Sequence, residues 1–270
     1  MTRREFATGA LIATAATAQA DPLGMPIGTQ VWPVRDALNK DFDATLKDLA
    51  AMGYRTIEMC SPPGYKFAPL MKLSAAEMRQ KIRAAGLRCE SSHYNFGELK
   101  DNLDERIAFA KEMGYTQMVL AAFGIRQGTM ADWTAAATAL NKMGEATQKA
   151  GIQLAFHNHN MEFESIGGEL IFDRLMSTFD PKLVKSQFQV AVASLGVDPV
   201  KVLRKYSGRI LSMHLADWSP AEKKLAAVGA GSVDWKELFA AAKAGGVKNY
   251  FVEVDPPAMK SSYQYLHAMK

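Results

Sequence analysis

The chain of 270 residues is 48% hydrophobic and 22% charged, with 20 glycines, 11 prolines and only 2 cysteines. Sparse cysteine excludes a disulfide-stapled miniature, and the apolar fraction excludes a collagen-like or disordered chain. A formal charge of +4, from 32 basic and 28 acidic groups, lacks the Lys and Arg excess that a phosphate backbone demands, so no nucleic-acid partner is expected.

Thr2-Arg-Arg-Glu-Phe6 precedes a Lys- and Arg-free run from Ala7 to Ala18, and Ala18-Gln-Ala20 has the small-x-small form of a cleavage site. Residues 1–20 are therefore expected to be an export signal peptide, and its paired arginines resemble the twin-arginine type. An exported protein, periplasmic or secreted, would then begin near Asp21. Its net charge would be +3, because two bases and one acid leave with the signal. No membrane anchor is expected after cleavage, since no other segment approaches the roughly 20 apolar residues of a span. Cys60 and Cys89 would meet an oxidising compartment, yet both fall in expected buried strands where free cysteine behaves as a small hydrophobe. They are expected to be unpaired.

Residues 21–270 read as one domain. The first expected strand is Ile27-Gly-Thr-Gln-Val-Trp32. From there six glycines each end a helix-like stretch and lead into a β-rich run: Gly53 before 54–59, Gly86 before 87–90, Gly114 before 115–120, Gly151 before 152–156, Gly208 before 209–213 and Gly246 before 247–252. Glycine at a helix end supplies the left-handed residue that turns the chain back into a strand. The long interval between Gly151 and Gly208 holds one more strand, 184–192, after the stop at Asp180-Pro181. Ser74-Ala-Ala-Glu77 is a capping box, and Asp198-Pro199 places proline at a first helical position. Eight strands separated by helices pack as a parallel sheet. Their number in a chain of this length favours a closed (β/α)8 barrel over an open doubly wound sheet. No Gly-x-Gly-x-x-Gly follows the first strand, which removes the usual dinucleotide reading.

Chemistry in such a barrel sits at the C-terminal ends of the strands. Four of the five histidines fall there: His93 after strand 3, His157 and His159 after strand 5, and His214 at the end of strand 7. Glu58, Glu162, Asp217, Glu253 and Asp255 join them. His157 and His159, two apart on an extended run, point to the same side. A His/Glu mixture with an amide oxygen and no thiolate suits one divalent cation, Mn, Co, Zn or Mg.

The strings Phe156-His-Asn-His-Asn-Met-Glu-Phe163, Arg209-Ile-Leu-Ser-Met-His-Leu-Ala-Asp-Trp218, Val228-Gly-Ala-Gly-Ser-Val-Asp-Trp235 and Tyr250-Phe-Val-Glu-Val-Asp255 resemble the sugar phosphate isomerase/epimerase family, the xylose-isomerase-like TIM barrels. That resemblance covers nearly all of the mature chain. It implies one divalent metal held by His157, Gln189, His214 and Glu253. Gln189 stands where the family usually has Asp, which removes one negative charge, and Ala216 stands where relatives often have Lys. A phosphorylated substrate is thus less favoured than a free or keto-sugar.

The resemblance also implies a reaction that begins by removing a proton next to a carbonyl. Glu253, Glu162 and His159 are the candidate catalytic groups, the two carboxylates as base and acid. Glu58, His93, Trp32 and Trp218 are candidate substrate contacts, and the two tryptophans with Tyr94 are candidates to stack on a sugar face. A small carbohydrate is the expected partner, and an oligomer is allowed. Isomerisation or epimerisation is the expected outcome. Alternatives are a lyase or hydratase sharing the first step, a non-catalytic sugar-binding barrel, and a DNA-repair endonuclease of the same superfamily. The last would need more histidines and a basic groove.

Overall fold

The computed structural model describes residues 21–269, and the expected export signal lies outside them. All eight expected strands form: β1 (Gly28–Gln30), β2 (Thr56–Cys60), β3 (Arg88–Asn95), β4 (Gln117–Ala122), β5 (Gln153–His157), β6 (Val184–Gln189), β7 (Ile210–Leu215) and β8 (Asn249–Val252). Each pairs parallel with the next, and β8 returns to β1 with Gly28 opposite Phe251, so the barrel closes. The principal helix after each strand is α1 (Phe42–Met52), α2 (Ala75–Ala84), α3 (Phe96–Met113), α4 (Met130–Lys149), α5 (Ile171–Thr178), α6 (Pro199–Lys205), α7 (Trp235–Ala244) and α8 (Pro256–Ala268). The chain is a (β/α)8 barrel.

Local chemistry sets the joints. The six punctuating glycines all have positive φ, between 71° and 115°. The capping box at Ser74 forms in both directions, and Asp198 accepts from the backbone N–H groups of Val200 and Lys201 while Pro199 opens α6. Both cysteines are free, Cys60 buried and Cys89 half-buried, as expected.

Several strand ends differ from the sequence reading, His157 lying inside β5 rather than past it, and three of the differences have a plain physical reason. β1 stops at Gln30, because Pro33 sits inside the 3-10 turn Trp32–Val34 and cannot donate to a ladder. β3 continues to Asn95, paired on both sides by β2 and β4, so His93 lies within the strand rather than past it. β6 stops at Gln189, whose own side chain accepts from Ala191 N and caps a 3-10 turn over Val190–Leu195.

Alternation along each strand divides the molecule. Ile57 and Met59 of β2, Leu154 and Phe156 of β5, and Phe188 of β6 belong to the apolar core, where each buried side chain contributes about 1.5–3 kcal/mol. Residues of opposite parity, such as Glu58, His157, Gln187 and His214, face the barrel axis. The outward layer supplies stability, and the inward one is polar.

Gly53 and Gly86 allow a paired test. Gly53 has φ +115°, and a Cβ there would lie 2.2 Å from the Tyr263 ring of α8; Gly86 has φ +79° with open space around it. Gly53→Ala is expected to lower stability by about 2–4 kcal/mol, from backbone strain plus overpacking, and Gly86→Ala by about 1–2 kcal/mol from strain alone. Urea denaturation of both variants checks the difference.

Candidate active site

His93, His157 and His214 come from β3, β5 and β7, alternate strands of the barrel, which is how inward side chains of such a barrel form one layer. Their ring centroids are 5.0 Å apart for His93 and His157, 4.5 Å for His157 and His214, and 5.0 Å for His93 and His214, the last pair stacked. All three rings are buried.

Glu58 of β2 anchors this layer with a fully buried carboxylate. One oxygen accepts from Ser91 Oγ and from Gln187 Nε2 at 2.8 Å. The other accepts from Gln30 Nε2 at 2.8 Å and from His214 Nε2 at 2.6 Å, with His93 Nε2 at 3.1 Å. Burial alone would raise its pKa, but His93 and His214 outweigh that and hold Glu58 well below the usual carboxylate range. His214 lies between two carboxylates, since its Nδ1 meets Glu253 Oε2 at 2.9 Å. Burial would depress the ring's pKa, yet Glu253 and Glu58 together push it up to about 10. His214 is therefore an imidazolium that joins a deep carboxylate to one nearer the surface.

Glu253 follows β8 and is the outer end of this chain of contacts. Its side chain is 17% exposed against 0% for Glu58. Glu253 Oε2 also accepts from Gln189 Nε2 at 2.6 Å. Burial opposes its ionisation, but His214 keeps its pKa lowered. A cavity of about 620 Å³ opens over it, lined also by Gln189, Trp32, Arg35 and Lys224. Trp32 is 41% exposed; the Arg35 guanidinium lies 4.3 Å from its ring centroid and Tyr65 meets it edge-on at 5.5 Å.

The structure thus brings His93, His157, His214, Gln189 and Glu253 together, with Trp32 at the mouth. His159 is exposed, its ring 4.9 Å from that of His157. Other expected contacts fall elsewhere. Glu58 lies behind the histidines with both oxygens engaged, so it is not placed to touch a substrate hydroxyl. Glu162 is fully buried, with Oε2 accepting from His159 N at 2.7 Å and Oε1 without a partner. Trp218 is half-buried within the ribbon of 217–219 and 224–226, where it pairs with Leu225, and does not line the cavity. Tyr94 is buried in the core. Asp217 is a structural brace, accepting from Trp218 N, Gly229 N, Val233 N and Trp235 Nε1. Sequence reasoning passed over Gln30, Ser91, Gln187 and Ser212. Polar residues of inward parity in otherwise apolar strands were the available signal.

A nitrogen from each of His93, His157 and His214 lies within 4.8 Å of the others, and buried His157 Nδ1 lacks a partner. Three imidazoles with an unsatisfied nitrogen fit a borderline divalent cation. Binding there would be linked to loss of a proton from His214. The cluster differs from the expected ligand set at two positions, since neither Gln189 nor Glu253 belongs to it. Gln189 turns its N–H₂ to Glu253 and its Oε1 toward Ala191 N at 3.3 Å, so its oxygen is engaged by the backbone, while His93 joins the cluster instead.

Residues 46–269 match the xylose isomerase-like TIM barrel family, and the chain belongs to it. An inosose dehydratase of Clostridium botulinum (strain Alaska E43 / Type E3) is 27% identical over 197 residues, 66% of this chain and 64% of that protein. The match therefore spans somewhat less than two thirds of that relative. A sugar phosphate isomerase/epimerase from Parabacteroides distasonis ATCC 8503 superposes with a TM-score of 0.76 at 25% identity, covering 94% of this chain and 96% of that one. The IolI protein, solved with a bound zinc atom, shares the fold with a TM-score of 0.68 at 14% identity over 90% of this chain and 94% of that one.

Burial pushes the Glu162 carboxyl up to about 7 despite the His159 N–H it accepts. A carboxyl whose folded pKa exceeds its unfolded value stabilises the fold below the unfolded pKa and loses that contribution as pH rises through the folded one. Wild-type Tm is accordingly expected to fall relative to Glu162→Gln between about pH 4.5 and pH 7. Calorimetry across that interval checks it, and a constant Tm difference would mean that Glu162 stays ionised.

Proposed function

We propose that this chain is a sugar-modifying enzyme of the isomerase/epimerase type that removes a proton next to the carbonyl of a free or keto-sugar. The observation that carries the reading is Glu253, a carboxylate at the mouth of the barrel whose Oε2 is held by His214 and Gln189 while its side chain opens to the cavity. A carboxylate kept ionised at such a mouth is placed to take the proton as general base. His214 fixes its position and shares the proton's charge across to Glu58. His159, exposed beside His157 but outside the lining of the cavity over Glu253, is the candidate donor to a substrate oxygen, and Trp32 offers a sugar face a flat apolar surface.

Return of the proton to another carbon gives isomerisation or epimerisation. Expulsion of a β-hydroxyl gives dehydration, and the inosose dehydratase relative favours that second outcome. One divalent cation from Mn, Co, Zn and Mg, held by His93, His157 and His214, would supply Lewis-acid polarisation of the carbonyl. The imidazole donors and the zinc of IolI support zinc.

The test is deuterium incorporation from heavy water into a panel of keto-sugars that includes an inosose, followed by NMR. Exchange at the carbon next to the carbonyl is expected, with or without loss of water. Glu253→Gln is expected to reduce it by about 10²- to 10⁴-fold. Binding without exchange across the whole panel would support a non-catalytic sugar-binding barrel instead. Elemental analysis is expected to find about one metal per chain, and exhaustive chelation to slow exchange; full exchange in metal-free protein would remove the cation from the proposal.

Export belongs to the same proposal, supported by Arg3-Arg4 and Ala18-Gln-Ala20. N-terminal sequencing of protein from its native compartment is expected to begin near Asp21, and an intact Met1 or Thr2 would refute it.

A further inference from the structure

The charged lining of the cavity over Glu253 consists of Arg35, Glu222, Lys224, Glu253 and Asp255. Most of that charge is already answered. Lys224 Nζ is paired with a Glu222 oxygen at 2.7 Å, Glu253 meets His214 at 2.9 Å, and Asp255 is exposed to water at the start of α8. Arg35 is half-buried and forms no ion pair among the described residues. It is the one cation on the lining without a counter-charge.

The local sequence holds its guanidinium in place. The 3-10 turn Trp32–Val34 brings Arg35 back over Trp32, whose carbonyl oxygen accepts from the Arg35 backbone N–H and from Nη1, the latter at 3.0 Å. The guanidinium carbon lies 4.3 Å from the Trp32 ring centroid. Contacts with both the carbonyl and the ring of one residue fix a planar fork of five N–H donors, and Trp32 O takes one of them. The free donors are preorganised for a planar anion, which lowers the entropy lost on binding.

We infer that Arg35 is the docking group for a carboxylate, and that the ligand of this cavity is a sugar acid. The inference rests on the reading of this cavity as the substrate site and narrows its substrate class. Two parallel N–H···O bonds match the two oxygens of a carboxylate. A phosphate ester fits less well, because it carries up to two negative charges, Lys224 is already paired, and Glu253 and Asp255 stand on the same lining. Arg35, Trp32 and Glu253 all line one cavity of about 620 Å³, a volume in the range that encloses a small molecule. A sugar anchored there by its carboxylate has the apolar ring and the base within the same enclosure.

Titration calorimetry at low ionic strength tests this with matched pairs, galacturonate with galactose and fructuronate with fructose, each pair exchanging a hydroxymethyl group for a carboxylate. In at least one pair the acid is expected to bind about tenfold or more tightly than its neutral partner, with a preference that falls as salt is raised. Arg35→Gln is expected to bring that ratio to about one. Arg35→Lys keeps the charge but loses the fork, and is expected to retain only about two- to threefold. Lys224→Gln is expected to leave the ratio intact, which separates Arg35 from the general charge of the lining. Absence of a preference in both pairs would overturn the inference, as would a ratio that survives Arg35→Gln or falls equally in Lys224→Gln. Tighter binding of phosphorylated fructose than of fructuronate would overturn the choice of carboxylate. If Arg35→Gln does not fold, Arg35→Lys and the wild-type ratio decide. Deuterium exchange reads the enzyme proposal separately: an acid that binds through Arg35 and never exchanges leaves this site standing without the enzyme reading, and exchange into neutral keto-sugars with no preference for acids does the reverse.

Discussion

A carboxylate inside the bore of a closed barrel must be neutralised by its neighbours, and the interior of this protein is organised around that requirement. Glu58 is fully buried, where an uncompensated charge costs several kcal/mol. Closure leaves no sheet edge through which water could reach it. Four strands answer: Gln30 from β1, Ser91 and His93 from β3, Gln187 from β6 and His214 from β7 all turn hydrogen toward its two oxygens. Each of those groups is thereby fixed in orientation, and the histidines inherit their geometry from the carboxylate beneath them.

The same arrangement carries charge from a dry floor to a wet mouth. Glu58, His214 and Glu253 alternate in sign along one line of contacts of 2.6 and 2.9 Å. The inner carboxylate stabilises the imidazolium, and the imidazolium in turn keeps the outer carboxylate ionised although it is largely buried. Gln189 adds one neutral donor where the family resemblance leads one to expect an acid. With Asp there, a further negative charge would stand against Glu253, and a cation would be needed to hold the pair together. With Gln, the pair is a hydrogen bond of 2.6 Å that is satisfied by itself. The contact of Gln189 with Glu253 is thus a neutral hydrogen bond, while the three imidazoles form a donor set that suits a cation.

Much of this was legible in the sequence because its causes are local. Positive φ at Gly53 or Gly114 is a property of one residue and the helix before it, so the glycines marked each unit and eight units implied closure. The capping chemistry at Ser74 and Asp198 is equally short-ranged. Histidines at strand ends pointed to one rim because all eight parallel strands point the same way. The missed residues are of another kind. Nothing near Gln187 in the sequence says that its amide spans Glu58, 129 positions away, and His93, 94 positions away.

The sequence by itself determined the repeat, the barrel, the family and the set of strands that carry the polar groups. Only the tertiary structure decided the depth of each group and therefore its role. Glu58, Glu162 and Glu253 are the same kind of side chain near strand ends, yet one is a fully paired buried anion, one a buried carboxyl held protonated toward neutral pH, and one a carboxylate open to a cavity. The reason is that ionisation and reach depend on desolvation and on partners brought in from distant strands, and those quantities exist only after the barrel has closed.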